Sequence, residues 1–171
     1  MNKRGAYFFV IDAFIAASII FLSLIMIFTT YNIRPETGPT LRMLEEYTDF
    51  LMNTKVRNFQ GDYVMNLTNN KNITNIDNTL LEQLVEFYYY NSSGVRNTDR
   101  IMWNFVDEVS KGAVSEQRSF AVYINKTLIY NITNKPLQES DLVMNSKKIV
   151  FQRINETYIY GPVIFEVKIW V

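Results

Sequence analysis

Residues 13–30 read AFIAASIIFLSLIMIFTT, 18 positions without a charge, whose only polar groups are serine and threonine hydroxyls. In a helix those hydroxyls return their hydrogen bonds to the backbone one turn earlier, so the segment asks nothing polar of its surroundings. Its length is about that needed to cross a bilayer. Lys3 and Arg4 stand just before it. Positive charge is retained on the cytoplasmic side, which places the N-terminus inside and directs residue 33 onward to the exterior. A buried helix of a soluble domain rarely carries so long an uncharged run. A cleaved secretory signal needs a small-x-small site after the run, and Phe28-Thr29-Thr30-Tyr31-Asn32-Ile33 supplies none. An uncleaved single-pass anchor remains.

The rest of the 171 residues has the size of one domain. Lysine plus arginine number 17 against 17 aspartate plus glutamate. No basic stripe suggests nucleic acid. Cysteine and histidine are both absent. Most zinc and copper sites, thiol nucleophiles and imidazole-based triads go with them, and the domain must stand on packing and hydrogen bonds alone. The acidic residues Asp62, Asp77, Asp99, Asp107 and Glu108 show no calcium-loop spacing and no pair suited to acid–base work. The chain is read as a non-enzyme, with no catalytic residue, metal site or cofactor.

Beyond the apolar run, Pro35, Gly38 and Pro39 mark a hinge at 35–39. Helix resumes behind Thr40, with Leu41, Leu44, Tyr47, Thr48, Leu51 and Val56 as its stripe. Residues 58–78 are asparagine-rich and read as a surface loop with about one helical turn. Asp77 or Asn78 is expected to cap a helix over 79–90, and a third helix is expected over 99–111, stopped by Gly112. From residue 119 the pattern turns to strands. The runs 119–124 and 127–132 flank Asn125-Lys126 as a hairpin. A short strand over 142–144 and a pair 148–154 with 157–160 follow. Gly161-Pro162 is read as a break before a last strand in which Val163, Phe165, Val167, Ile169 and Val171 share one face. The expected fold is α+β: an N-terminal membrane helix, further helices, and a C-terminal antiparallel sheet of about four or five strands packed on them.

The acceptor pattern Asn-x-Ser/Thr occurs at Asn66, Asn72, Asn91, Asn125, Asn131 and Asn155. In a chain whose exterior domain is exported, these are candidate glycan sites, most of them in expected loops and turns and Asn131 inside an expected strand. Tyr88, Tyr89, Tyr90, Trp103 and Trp170 could together form an aromatic adhesion face, but adjacent helical residues point to different sides, which favours core packing.

Lys3-Arg4-Gly5, followed at once by Ala6 and an aromatic-rich apolar run, resembles the class III signal of archaeal type IV pilins and pilin-like proteins. The run Ala6-Tyr7-Phe8-Phe9-Val10-Ile11-Asp12-Ala13 is similar to the start of archaeal members with an aromatic pair and an Asp-Ala step. The resemblance implies a leader over 1–5 cut by a prepilin peptidase between Gly5 and Ala6, an assembly helix over 6–34, and an exterior α+β domain over 40–171 with the type IV pilin plan. It implies partners in membrane lipid, copies of the chain or other pilins, the assembly machinery and glycans, and a place at the cell surface. Bacterial members carry glutamate five residues into the mature chain, where this chain has Val10; its acidic residue is Asp12. Two readings of Asp12 stand. It sits at the cytoplasmic interface near Lys3 and Arg4, or, after cleavage, it pairs with the Ala6 ammonium of a neighbouring subunit. Ala13, Ala16 and Ala17 are small residues that permit close helix approach during assembly. The alternative function is an uncleaved, singly anchored envelope protein whose exterior domain binds a surface ligand.

Overall fold

The computed structural model describes residues 3–32, 37–113 and 118–171. The chain divides into two compact units, 1–37 and 38–171. The first is a single helix, α1 (Lys3–Asn32). Its stretch Val10–Phe28 is long and apolar enough to cross a membrane. Every side chain from residue 10 to residue 28 is exposed. The hydroxyls behave as the sequence suggests: Ser18 Oγ donates to Phe14 O and Ser23 Oγ to Ile19 O, both at 2.8 Å.

The second unit opens with α2 (Thr37–Asn53), which takes Gly38 and Pro39 into its first turn, where proline loses no helical hydrogen bond. Leu44, Tyr47, Thr48 and Leu51 of α2 are buried, whereas Leu41 is 44% exposed. The asparagine-rich stretch holds more helix than expected, in the two turns of α3 (Asp62–Asn69), whose Val64 and Leu67 reach the core. Next comes α4 (Leu80–Ser92). Its cap is Thr79 rather than Asp77 or Asn78: Thr79 Oγ1 accepts from Glu82 N at 3.2 Å, and Glu82 Oε2 accepts from Thr79 N at 2.7 Å. The expected third helix is α5 (Asp99–Ser110), burying Met102, Phe105, Val106 and Val109.

Four antiparallel strands follow, β1 (Ser119–Ile124), β2 (Thr127–Ile132), β3 (Val143–Arg153) and β4 (Ile159–Trp170), in the order β2-β1-β4-β3. Asn125 and Lys126 have φ of 47° and 71°, the two left-handed positions that a tight hairpin between right-twisted strands requires. The later strands are longer and fewer than the sequence suggested. The segments 142–144 and 148–154 merge into β3, and 157–160 merges with the last strand into β4. Gly161-Pro162 does not break β4, because β1 pairs with β4 only as far as Ile124↔Phe165 and the β3 register slips between Val150 and Gln152. Pro162 therefore removes no ladder hydrogen bond.

Phe120, Val122, Ile124, Val163, Phe165, Val167 and Ile169 form the inner face of the sheet, each fully buried. The helices cover that face. Tyr47 meets Phe120 edge-on at 5.2 Å, and Phe87 meets Phe105 at 5.7 Å. On the outer face, Trp170 is buried because its Nε1 donates to Lys135 O at 2.7 Å, while Ser119 Oγ accepts from the backbone N–H groups of Asn134 and Lys135. The 133–142 connection thus folds over one end of that face.

Candidate functional site

Of the expected assembly residues, Gly5 and Ala6 are backbone positions of α1, and their surroundings lie outside the described residues. Asp12, Ala13 and Ala16 line one shallow concavity with Ile15 and Ile19, since residues three and four apart share a helix face. Ala17 is exposed beside them.

The six acceptor asparagines fall into two groups. Asn66, Asn125, Asn131 and Asn155 are exposed, on α3, in the β1–β2 turn, on the edge strand β2 and in the β3–β4 connection. Asn125 also holds the sheet together, because its Oδ1 accepts from Ile164 N at 2.9 Å and so ties the first hairpin to β4. Asn155 Oδ1 accepts from both Thr157 N and Thr157 Oγ1, closing a local turn of its own acceptor pattern. Asn72 and Asn91 are half-buried and engaged. Arg96 donates to Asn72 Oδ1. Asn91 donates from Nδ2 to Asp99 Oδ1 at 2.7 Å and accepts from Thr98 N at 3.0 Å, so both ends of its amide hold the start of α5 against the end of α4.

That clasp frames a groove of about 530 Å³, within the size range of small-molecule sites. Tyr88 and Asn91 of α4, residues 99–100 and 102–104 of α5, and Thr127, Leu128 and Ile129 of β2 line it. Its largest exposed ring is Trp103, at 44% exposure. The indole packs at 5.0 Å on Tyr130, which is buried and donates its hydroxyl to Asp107 Oδ1 at 2.7 Å. Burial, and then Asp107, push the Tyr130 phenol above its ordinary range. The phenol stays neutral and keeps its proton for that bond, so the ring beneath Trp103 is fixed.

The aromatic residues do not make one face. Trp170 is buried, Trp103 opens into the groove, and Tyr89 packs on Tyr158 and Tyr160 of the β3–β4 hairpin at 5.8 and 4.9 Å. Elsewhere on the outer face Glu166 gathers Asn145, Lys147 and Lys168 around one carboxylate, and Lys168 lies over the Tyr123 ring at 4.7 Å. Among the described residues, no three of Asp and Glu cluster as a metal site. The groove draws on α4, α5 and β2 and carries no local motif; the signal available in sequence was Trp103 with Arg100 on the same helix face and Asn104 next to it. The chain matches no family model, no curated protein and no solved structure with which it was compared.

Proposed function

We propose that the chain is a structural subunit of an archaeal surface filament of the type IV pilus kind, a minor pilin or pilin-like protein held in place by α1. The observation that carries this is the 19-residue apolar stretch Val10–Phe28, with every side chain exposed and Asp12 its one charge. Such a helix needs an apolar environment supplied from outside the chain. Lipid supplies it in the precursor, and the helices of neighbouring subunits supply it in a filament. A self-contained α+β unit following the helix agrees with this plan.

In this mechanism the leader 1–5 leaves between Gly5 and Ala6, taking Lys3 and Arg4 with it. The new ammonium at Ala6 pairs with Asp12 of a neighbouring subunit, which lowers the cost of a carboxylate beside the apolar core. Ala13, Ala16 and Ala17 let the helices approach closely. Glycans on the exposed acceptors Asn66, Asn125, Asn131 and Asn155 solvate the surface of the exterior domain. The subunit catalyses no reaction and needs no cofactor. Intact mass and N-terminal sequencing of the protein from its native cells test the reading. A start at Ala6 is expected; a start at Met1 or Asn2 overturns it and leaves the singly anchored envelope module. Asp12→Ala is expected to abolish assembly, and unchanged filaments would remove the pairing.

A further inference from the structure

We propose that the groove between α5 and β2 is a saccharide-binding site with Trp103 as its stacking platform. The proposal goes beyond filament assembly and does not depend on it.

A pyranose offers an apolar C–H face and a rim of hydroxyls, so a site for it must pair a flat aromatic surface with planar polar groups at the edge. The groove has both. Tyr130, buried and hydrogen-bonded to Asp107, backs the indole of Trp103 and leaves it 44% exposed toward the opening. Arg100, three residues before Trp103, shares its face of α5, and Asn104, one turn on from Arg100, lines the same groove. Neither side chain makes a hydrogen bond among the described residues, although Asn104 is half-buried. A half-buried amide without a partner is available to a ligand hydroxyl. Asp99 gives Oδ1 to the Asn91 clasp and leaves Oδ2 as an acceptor.

The charges select the ligand class. Asp99 and Arg100 are adjacent and of opposite sign, so the rim presents no net charge. This suits a neutral polyol better than a phosphate, a nucleotide or a cation. Leu128 of β2, at 49% exposure, adds apolar surface to the same groove.

The test uses the full chain in lipid nanodiscs, because glycoside detergents would themselves occupy such a site. Disaccharides of N-acetylglucosamine, mannose and galactose are titrated to about 10 mM while tryptophan emission is followed. Trp170 is 4% exposed, so a ligand-dependent change reports Trp103. At least one disaccharide is expected to give a saturable change. Measured calorimetrically with that sugar, Trp103→Ala is expected to weaken binding about tenfold or more, and Asn104→Ala about threefold. Leu137→Ala, on the connection over the other face, is expected to leave it unchanged. Circular dichroism melts verify that each variant is folded. No response to any of the three sugars overturns the proposal, as does binding that survives Trp103→Ala or is lost equally in Leu137→Ala. The N-terminal start and filament formation are read separately on the same Trp103→Ala variant, so the two ideas fail independently.

Discussion

Residues 10–28 of α1 and the strand β4 are both rich in apolar residues, and they deal with water in opposite ways. Along β4 the apolar residues alternate, and Val163, Phe165, Val167 and Ile169 are fully buried by the helices of their own unit. Along α1 they do not alternate or recur on one side. They surround the helix, and all the described ones are exposed. A one-sided pattern states that the partner lies in the same chain; an all-round pattern states that it lies outside it. Stability of the second unit and attachment of the chain through α1 should therefore be separable properties.

The largest effect expected is on the buried side. Phe165→Ala should cost about 3–5 kcal/mol of stability, because a fully enclosed ring is lost and the sheet centre cannot collapse around the gap. Urea unfolding of the second unit, followed by tryptophan emission, measures it, and membrane attachment should be unaffected. A cost below about 1 kcal/mol would mean that the sheet is not packed as a core. The converse change, Ile20→Lys, adds a charge at the middle of the apolar stretch, where Ile20 is 61% exposed. It should leave the stability of the second unit within about 0.5 kcal/mol and weaken insertion by about 2.5–3.5 kcal/mol. Carbonate extraction of membranes reads the second quantity, and coupled loss of both would refute the separation.

Smaller effects sharpen the comparison inside the second unit. Tyr47→Phe removes the buried 2.8 Å hydrogen bond to Ser110 Oγ and leaves that hydroxyl without its partner, at a cost of about 1–3 kcal/mol. Thr79→Ala removes half of the reciprocal cap of α4 and should cost about 1 kcal/mol, visible as a lower thermal midpoint.

The features legible in the sequence are those set by neighbours along the chain. The Asn125-Lys126 turn, the buried side of α5 and the alternation in β4 each follow from local backbone geometry. Features set by distant residues are not legible. Asn78 has the residue type of a cap, but it is buried and spends its Nδ2 on Glu86 and Gln83, which leaves the capping to Thr79. The polar run Asn145-Ser146-Lys147 separates the two strands expected over 142–144 and 148–154, yet β3 is continuous through it as an edge strand, where charged residues are tolerated and discourage pairing with other chains. Leu41 fits the approximate stripe of α2, but the buried face runs through Thr40, Leu44, Tyr47, Thr48 and Leu51 and leaves Leu41 to one side. Asn91 matches a glycan acceptor, and only the packing of α5 on α4 brings Asp99 to its amide. The groove is of the same kind, since Trp103 and Leu128 meet through tertiary packing alone.

The last prediction concerns a charge inside the well-packed unit, where α1 offers no parallel. Glu86 is 6% exposed, and burial raises its pKa above the ordinary carboxylate value against the lowering effect of Asn78 and Tyr90. In the window between the ordinary and the raised value, the folded state holds a proton that the unfolded state has released. Stability contributed by this group is thus fully present below the ordinary value and is lost as pH rises through the folded one. Above its raised pKa Glu86 is a buried and costly charge, with Asn78 Nδ2 donating to it at 2.7 Å as partial compensation. Glu86→Gln keeps an acceptor for Asn78 and removes the charge. It should raise the urea midpoint modestly at pH 7 and flatten the fall in stability as pH rises above the ordinary carboxylate value. A variant that loses stability at pH 7 would show that the carboxylate's hydrogen bonds outweigh its desolvation, reversing the sign assigned to burial.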